Sequence, residues 1–360
     1  MSEKITSQVF EGSVCPLPLK HDEQIIMGHG SGGGMTHRLI RDTFLPYLGS
    51  PALLEGNDYA GVSLGDPASS HGRIAVSTDA HVISPLFYPG GDIGRLSICG
   101  TVNDVAMSGA VPLYLTASFI IEEGLPISTL VRVLESMKEA AAEAGVQIIA
   151  GDTKVVEKGK ADGLFITTTG IGWFPEDVNI SGSMAQPGDA VIISGTLGDH
   201  GIAVLAARGG LGLQVEVQSD QAPLNGMIQD CLKVAPHIHV LRDPTRGGLA
   251  TTLNEIAGQS KAGILLDETS IPVRPEVASV CELLGFDPLY VANEGKVIII
   301  LPEEEAQSAL DALHNHPYGK NATRIGSVTA KPASRVLLRT SLGTQRILDV
   351  LMGEMLPRIC

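Results

Sequence analysis

Apolar and polar positions along the chain follow two periods in alternation. Residues 73 to 79, RIAVSTD, are an apolar run that ends in Asp79, and they read as a buried strand. The following GGDIGRLSICGTVNDVAMSGA has a glycine entrance and small residues at helical spacing, the pattern of a tightly packed helix. PLYLTASFII is a second strand. From Ser128 to Ala144, Leu130, Val133, Leu134, Met137 and Ala141 recur at helical spacing between charges, which predicts an amphipathic helix ended by Gly145. VQIIAGDTKVV and LFITTTGIGWF are two more strands, and the Pro-, Gly- and Ser-rich stretch from Pro175 to Gly188 is the clearest boundary in the chain. Beyond it the grammar repeats: DAVIISG as a strand, DHGIAVLAAR and RGGLATTLNEIA as helices, GKVIIILP as a strand. Such alternation supports mixed α and β layers, and leaves the order of the strands open.

Composition sharpens this picture. A length of 360 residues, 44% of them hydrophobic, suggests two domains, each with a real core. Abundant glycine (42 residues) with only 4% aromatics fits an α/β protein whose glycines serve turns and ligand loops. The net charge of -15 argues against nucleic acid, whose binding draws its affinity from Lys and Arg on phosphates. A nucleotide remains compatible with such a charge if Mg²⁺ and a few local cations neutralise its phosphates. The opening MSEKITSQVFEGSV lacks the basic and apolar regions of a signal peptide, and no uncharged stretch approaches about 18 residues, so a cytoplasmic location is expected. The five cysteines are too scattered for CxxC pairs, which excludes the usual zinc and iron-sulfur spacings and speaks against a disulfide framework. Cys99, Cys231 and Cys281 are expected to pack as small hydrophobes. Cys15 and Cys360 lie near the chain ends, and Cys360 closes the sequence MLPRIC.

Three sets of residues carry candidate chemistry. In GHGSGGGMTHRLI, five glycines from Gly28 to Gly34, including Gly30, Gly32 and Gly33, precede a helical pattern. Such a loop either flexes or turns its amides to a phosphate; it has neither the GK[ST] of a Walker A loop nor the leading strand of a Rossmann fingerprint. Asp58, Asp79, Asp104, Asp152 and Asp243 sit at expected strand ends and helix starts. Singly each is a turn former or cap, whereas together, if their loops converge, they supply the hard oxygen ligands that Mg²⁺ requires. Asn103 and Asp104 are a polar pair in an otherwise small and apolar helix, where burial demands partners. Lys154 stands just past Asp152, and Glu294 leads into an apolar strand; these suit charge neutralisation and general-base work, or equally a surface ion pair and an ordinary turn. His237 with His239 and His314 with His316 have no further ligand at a recognisable spacing, and are read as structural.

In order along the chain, HGSGGG, STDAHVISPLFYPGGDIGRLSICGTVNDVAMSGA, GDTKVV, GDHGIAVLAAR, RDPTRGGLATTLNEIA, ANEGK and the closing PRIC closely resemble the HypE family of hydrogenase maturation factors. That family lies in the aminoimidazole ribonucleotide synthetase superfamily, beside selenophosphate synthetase and thiamine-monophosphate kinase. The resemblance runs from about Gly28 to the last residue. It implies a two-domain α/β and α+β fold: an N-terminal extension (1–27), an ATP-binding domain (28–174) that dimerises through its sheet, a C-terminal α+β domain (175–350) and a mobile tail (351–360). It implies ATP-dependent dehydration of an S-carbamoyl group to a thiocyanate, with Mg²⁺, and supply of the cyanide ligands of the [NiFe] hydrogenase iron. A carbamoyltransferase, HypF, would load the thiol, and a HypC-HypD scaffold would take the cyano group.

Carried onto this chain, the resemblance makes Cys360 the carbamoyl acceptor, with Glu294 and Lys154 for proton abstraction and charge stabilisation. Gly30, Gly32, Gly33, Asn103, Asp104 and Asp152 would bind nucleotide, and Asp58, Asp79, Asp104 and Asp243 would hold metal. Relatives have paired acids where this chain has Asn57 and Asp58. A selenophosphate synthetase would need Cys or selenocysteine beside a Lys in its Gly-rich loop, and this loop has neither. A non-catalytic thiol carrier, binding nucleotide only structurally, is the reading from another class.

Overall fold

The computed structural model describes residues 25–30, 32–64, 72–175, 178–209, 212, 215–351, 356 and 359. The first α/β layer holds five strands, β1 (Ala60–Ser63), β2 (Arg73–His81), β5 (Val111–Glu122), β6 (Gln147–Val156) and β7 (Leu164–Trp173), in the order β1-β2-β7-β5-β6. All neighbours are antiparallel except β5 and β6. A two-stranded ribbon, β3 (Phe87–Tyr88) with β4 (Gly91–Asp92), leads into the first long helix. Three short helices precede the sheet: α1 (Gly34–Leu39), α2 (Leu45–Leu48) and α3 (Pro51–Leu54).

Helix α4 (Ile93–Ala106) is buried almost throughout, because its small residues let it lie flat against its neighbours. Asp92 caps it, its Oδ1 accepting from the N–H groups of Gly94 and Arg95 at 2.7 and 3.1 Å. Gly94 lies so near α5 (Ile127–Ala144) that a Cβ there would stand 2.4 Å from the Val133 carbonyl oxygen. Helix α5 ends where expected: Gly145 is left-handed (φ 71°), and Val146 N–H reaches back to Ala141 O at 3.0 Å. Val133, Met137 and Ala141 of the expected stripe are buried, whereas Leu134 is exposed. One residue on from Val133 is a turn of about 100° around the helix, which carries Leu134 to the flank of the stripe.

The second layer has seven strands in the order β14-β13-β10-β12-β8-β11-β9. These are β8 (Ala190–Ile193), β9 (Val240–Arg242), β10 (Gly263–Asp267), β11 (Ile298–Leu301), β12 (Thr323–Thr329), β13 (Val336–Arg339) and β14 (Gln345–Leu348). Only β10 and β13 run parallel. Around it pack α6 (Asp199–Ala207), α7 (Asn225–Val234), α8 (Gly248–Ser260), α9 (Pro275–Leu284) and α10 (Ala306–Asn315). The halves share a core: Ile98 and Val102 of α4 belong to one apolar cluster with Ile202, Val291, Leu356 and Ile359. Burial of that apolar surface fixes the cleft between the halves. Cys99, Cys231 and Cys281 are buried free thiols inside these cores, while Cys15 lies outside the described residues. His237 pairs with Glu305, His239 Nδ1 lies 2.8 Å from Asp189, and His314 Nε2 donates to Ala322 O at 2.8 Å, so each is structural. Among the described residues, no helix is long and apolar enough to cross a membrane.

Candidate active site

Four of the expected acids converge in the cleft. Asp58 enters β1, which runs antiparallel to β2 with Ala60 opposite Val76, so Asp58 comes alongside the stretch of β2 that ends at Asp79. Helix α4 crosses behind and contributes Asp104; β9 ends at Arg242 and delivers Asp243 from the other half. Ser77 Oγ ties them, 2.7 Å from Asp104 Oδ2 and 2.8 Å from Asp58 O.

Crowding leaves its mark on their protonation. Burial, followed by the charges of Asp243, Asp79 and Asp58, drives the Asp104 carboxyl well above the usual range. Burial and the neighbouring Asp58 push Asp243 up to about 8, with Arg242 opposing. Asp58 is raised to about 6 by burial, although Arg242 Nε stands 2.5 Å from its Oδ2. Among the described residues no three His, Cys, Asp or Glu are arranged ready to grip an ion. The four carboxylates of the expected metal set thus form a repelling group rather than a finished cage.

Glu294 borders this group. Its side chain is buried, Oε1 has no hydrogen bond, and burial with the charges of Asp79, Asp243 and Asp220 holds its carboxyl well above the usual range. Its backbone is clamped on both sides: the N–H donates to Asp220 Oδ1 at 3.2 Å and the carbonyl accepts from Asn103 Nδ2 at 3.3 Å. Asn103 was expected to contact nucleotide. Its amide is already committed, since Nδ2 also donates to Ala222 O at 3.0 Å and Oδ1 accepts from Leu224 N–H at 2.8 Å. Its place is therefore that of a stitch between α4 and the loops of the second half, since a buried amide in a small-residue helix takes whatever backbone partners face it.

The Gly-rich segment reaches the cleft from the other side. Gly32 (φ 77°) packs against Arg246, where a Cβ would come within 2.9 Å of the arginine Cβ, and Arg246 Nη2 stands 3.7 Å from Asp79 Oδ1. The Gly32 N–H donates to Thr36 Oγ1 at 2.9 Å, and Gly33 precedes α1 as its N-cap. Gly30 closes a short 3-10 turn, with open space at its Cα.

Asp152 and Lys154 are not brought to this cluster within one chain. Asp79 pairs with Thr168, Thr168 with Ala117, and Ala117 with Gly151. Asp152 therefore lies about 14 Å, three strand spacings, from Asp79. The two residues pair with each other on the exposed edge strand β6, Lys154 Nζ donating to Asp152 Oδ2 at 2.7 Å.

Several residues escaped the sequence reading. Arg242 is buried between Asp58 and Glu255, its Nη2 2.5 Å from Glu255 Oε2. An Arg ending the apolar run VLR was the available signal. Lys296 Nζ donates to Asp220 Oδ2 at 2.9 Å, and a Lys two residues past Glu294 was the only hint. His200, hidden inside an apolar helix, is fully buried and kept neutral by its burial. Its Nε2 is 2.7 Å from the carbonyl oxygen of Ile359, which can only accept, so Nε2 carries the proton and Nδ1 accepts from Ser219 Oγ at 2.8 Å. Cys360 lies outside the described residues, as do Gly353 and Pro357. Where a mobile tail was expected, two of its described residues are docked: Leu356 and Ile359 are 8% and 5% exposed in the shared core.

An acid-lined cleft between two mixed α and β layers of this order is that of the AIR synthase related proteins. The N-terminal domain of that family matches residues 56–174 and its C-terminal domain residues 186–339. Carbamoyl dehydratase HypE of Cupriavidus necator is 53% identical over 345 residues, 96% of this chain and 97% of its own. A crystal structure of a HypE-HypF complex superposes with TM-score 0.82 at 48% identity, covering 87% of this chain and 99% of that one. Hydrogenase maturation protein HypE in complex with ATP gives TM-score 0.77 at 51% identity, over 94% and 100% of the two chains. The chain belongs to the HypE family, a family of carbamoyl dehydratase enzymes of hydrogenase maturation.

Proposed function

We propose that this chain accepts a carbamoyl group on the thiol of Cys360 and dehydrates it to a thiocyanate at the expense of ATP. The observation that carries the reading is the hydrogen bond from His200 Nε2 to the carbonyl of Ile359. It holds the residue before Cys360 inside the core, on a histidine that feels the charge of Asp220, the same carboxylate that receives the Glu294 N–H. Consecutive Cα atoms are about 3.8 Å apart, so the thiol's reach from that anchor is short.

The chemistry suits the residues. A primary amide does not lose water readily, because its oxygen is a poor leaving group. Transfer of the γ-phosphoryl group to the carbamoyl oxygen makes that oxygen part of a phosphate; loss of two N–H protons and departure of phosphate then leave S–C≡N. The balance is carbamoyl thiolester plus ATP giving thiocyanate, ADP and phosphate. Glu294, its carboxyl raised well above the usual range by burial and its Oε1 unpartnered, is placed to exchange a proton with the loaded tail. Asp58, Asp79, Asp104 and Asp243 fit Mg²⁺ as hard ligands whose mutual repulsion a divalent cation would relieve. When bound, such a cation supplies charge neutralisation and alignment for the phosphates. Gly32, seated against Arg246, supports a phosphate-facing role for the Gly-rich segment.

Lys154 and Asp152 enter only through a second copy of the chain. Strand β6 is a sheet edge carrying exposed Ile148, Ile149 and Val155, a surface suited to pairing with itself about a two-fold axis. The resemblance assigns the loading of Cys360 to HypF and the acceptance of cyanide to HypC-HypD, in the cytoplasm. Intact-protein mass spectrometry tests the reading. After loading by the carbamoyltransferase, the adduct on the C-terminal peptide is expected to lose one water only with hydrolysable ATP. In Glu294→Gln it is expected to persist, and Cys360→Ala is expected to take no adduct. An adduct that never loses water would mark a thiol carrier instead.

A further inference from the structure

One chain of charges connects the Gly-rich segment to the acid cluster. His37 Nε2, on α1, is 3.0 Å from Glu255 Oε1; Glu255 Oε2 accepts from Arg242 Nη2 at 2.5 Å; Arg242 Nε stands 2.5 Å from Asp58 Oδ2. Arg242 and Glu255 lie on the consecutive elements β9 and α8, His37 lies on the distant α1, and Asp58 precedes β1. Arg242 is buried, and neither its Nη1 nor its Nε makes a hydrogen bond, the Nε contact with Asp58 being an ion pair, so its direction is set by the two carboxylates that pull it. Glu255 is therefore the fixed point: without it Asp58 is, among the described residues, the one ion-pair partner left to the guanidinium, which is drawn toward the acid cluster.

The same segment is tied down at two other points. The Gly34 N–H donates to Leu351 O at 2.9 Å, and Gly32 rests on Arg246. The segment that places His37 on Glu255 is therefore also held against Leu351 and against the arginine that faces Asp79.

We propose that Glu255 and His37 are positioning residues: seating of the Gly-rich segment fixes Glu255, Glu255 holds Arg242 back, and Arg242 then orients Asp58 by one oxygen and leaves the other for a divalent cation. This rests on the metal reading above and extends it to how the site is set. The charge of His37 is not required, only its N–H, because what Glu255 needs is a donor that fixes its first oxygen. Groups behind a metal ligand commonly change affinity by about 10- to 100-fold when removed, and His37 stands two steps from Asp58, so the lower end applies to it.

The test is isothermal titration of the full-length protein with Mn²⁺ in the presence of ADP. His37→Leu, at a half-exposed position, is expected to weaken Mn²⁺ about tenfold, and His37→Gln, which keeps a donor of similar reach, to restore binding to within twofold. Glu255→Ala is expected to lose at least as much as His37→Leu. In turnover, the variants are expected to raise the KM for Mg-ATP with kcat nearly unchanged. Mn²⁺ affinities in all three variants within twofold of the parent would overturn the proposal, as would a His37→Gln variant as weak as His37→Leu. A parent chain that takes no Mn²⁺ would overturn the metal reading itself and the proposal with it, whereas a binding parent beside unchanged variants overturns the proposal alone.

Discussion

Two of the molecule's aspartate-lysine pairs have nearly the same length and opposite surroundings. Lys154 and Asp152 meet at 2.7 Å on the edge strand β6 with side chains 67% and 61% exposed; Lys296 and Asp220 meet at 2.9 Å with side chains 9% and 4% exposed. In water the first pair holds little, because solvent screens it and both side chains give up freedom to form it. The second has no solvent to fall back on. Burial pushes the Asp220 carboxyl up, yet Lys296 and the Glu294 N–H together hold it below its ordinary range. Its task is architectural: it grips the backbone of Glu294 while facing the histidine that holds Ile359. Contact length does not distinguish a structural ion pair from a surface one; burial and what else the acid holds do.

Breaking the buried pair is expected to have the largest effect. Asp220→Ala leaves the Lys296 ammonium buried without its partner and frees the Glu294 loop, a loss of about 3–5 kcal/mol, read by denaturant unfolding. The sign with pH follows: a carboxyl held below its ordinary pKa of 3.8 contributes stability present above that value and lost as pH falls through the lower one. The parent is therefore expected to lose stability in acid, and Asp220→Ala to show less of that loss.

The acid cluster has the opposite sign, which gives a second and smaller effect. Asp243 is raised to about 8, so the fold favours its protonated form. Its contribution is fully present below 3.8 and is lost as pH rises through about 8. A divalent cation relieves that loss, so Mg²⁺ is expected to raise the melting temperature by about 2–4 °C more above this range than at mildly acidic pH. Thermal melts with and without Mg²⁺ across that interval check it, and an Mg²⁺ shift that does not change with pH would remove the carboxylates from the account.

The surface pair sharpens the comparison by its silence in stability. Lys154→Ala is expected to leave the melting temperature unchanged and yet to slow loss of water from the loaded tail. If Lys154 serves the site of a second copy, unfolding and refolding a slowed Lys154→Ala protein together with a Glu294→Gln protein is expected to raise activity above that of either variant alone, since hybrid dimers hold one intact site. No recovery after mixing would place Lys154 outside the reaction or within its own chain.

The elements of the fold were legible where the signal is local. The helix over 127–144 follows from its stripe and from Gly145, and the strands around Asp79 and Lys154 from their apolar runs, because a period and a cap are written within a few consecutive residues. The convergence of Asp58, Asp79, Asp104 and Asp243 was suggested by their positions at element ends and by resemblance, not by any spacing between them. The backbone partners of Asn103, Ala222, Leu224 and Glu294, were not legible because they are remote in sequence. Arg242, Lys296, Asp220 and His200 were missed because each looks like an ordinary solvated or core residue until burial removes its water.

The sequence by itself determined the alternation of strands and helices and the acidic residues available for a site. Tertiary structure decided which of those acids repel one another, which lysine is buried, and that the penultimate residue of the chain is held on a histidine in the core. The reason is physical: hydrophobic period and capping act through neighbours along the chain, whereas pKa values and ion-pair strength depend on water excluded by segments that meet only when the two layers pack.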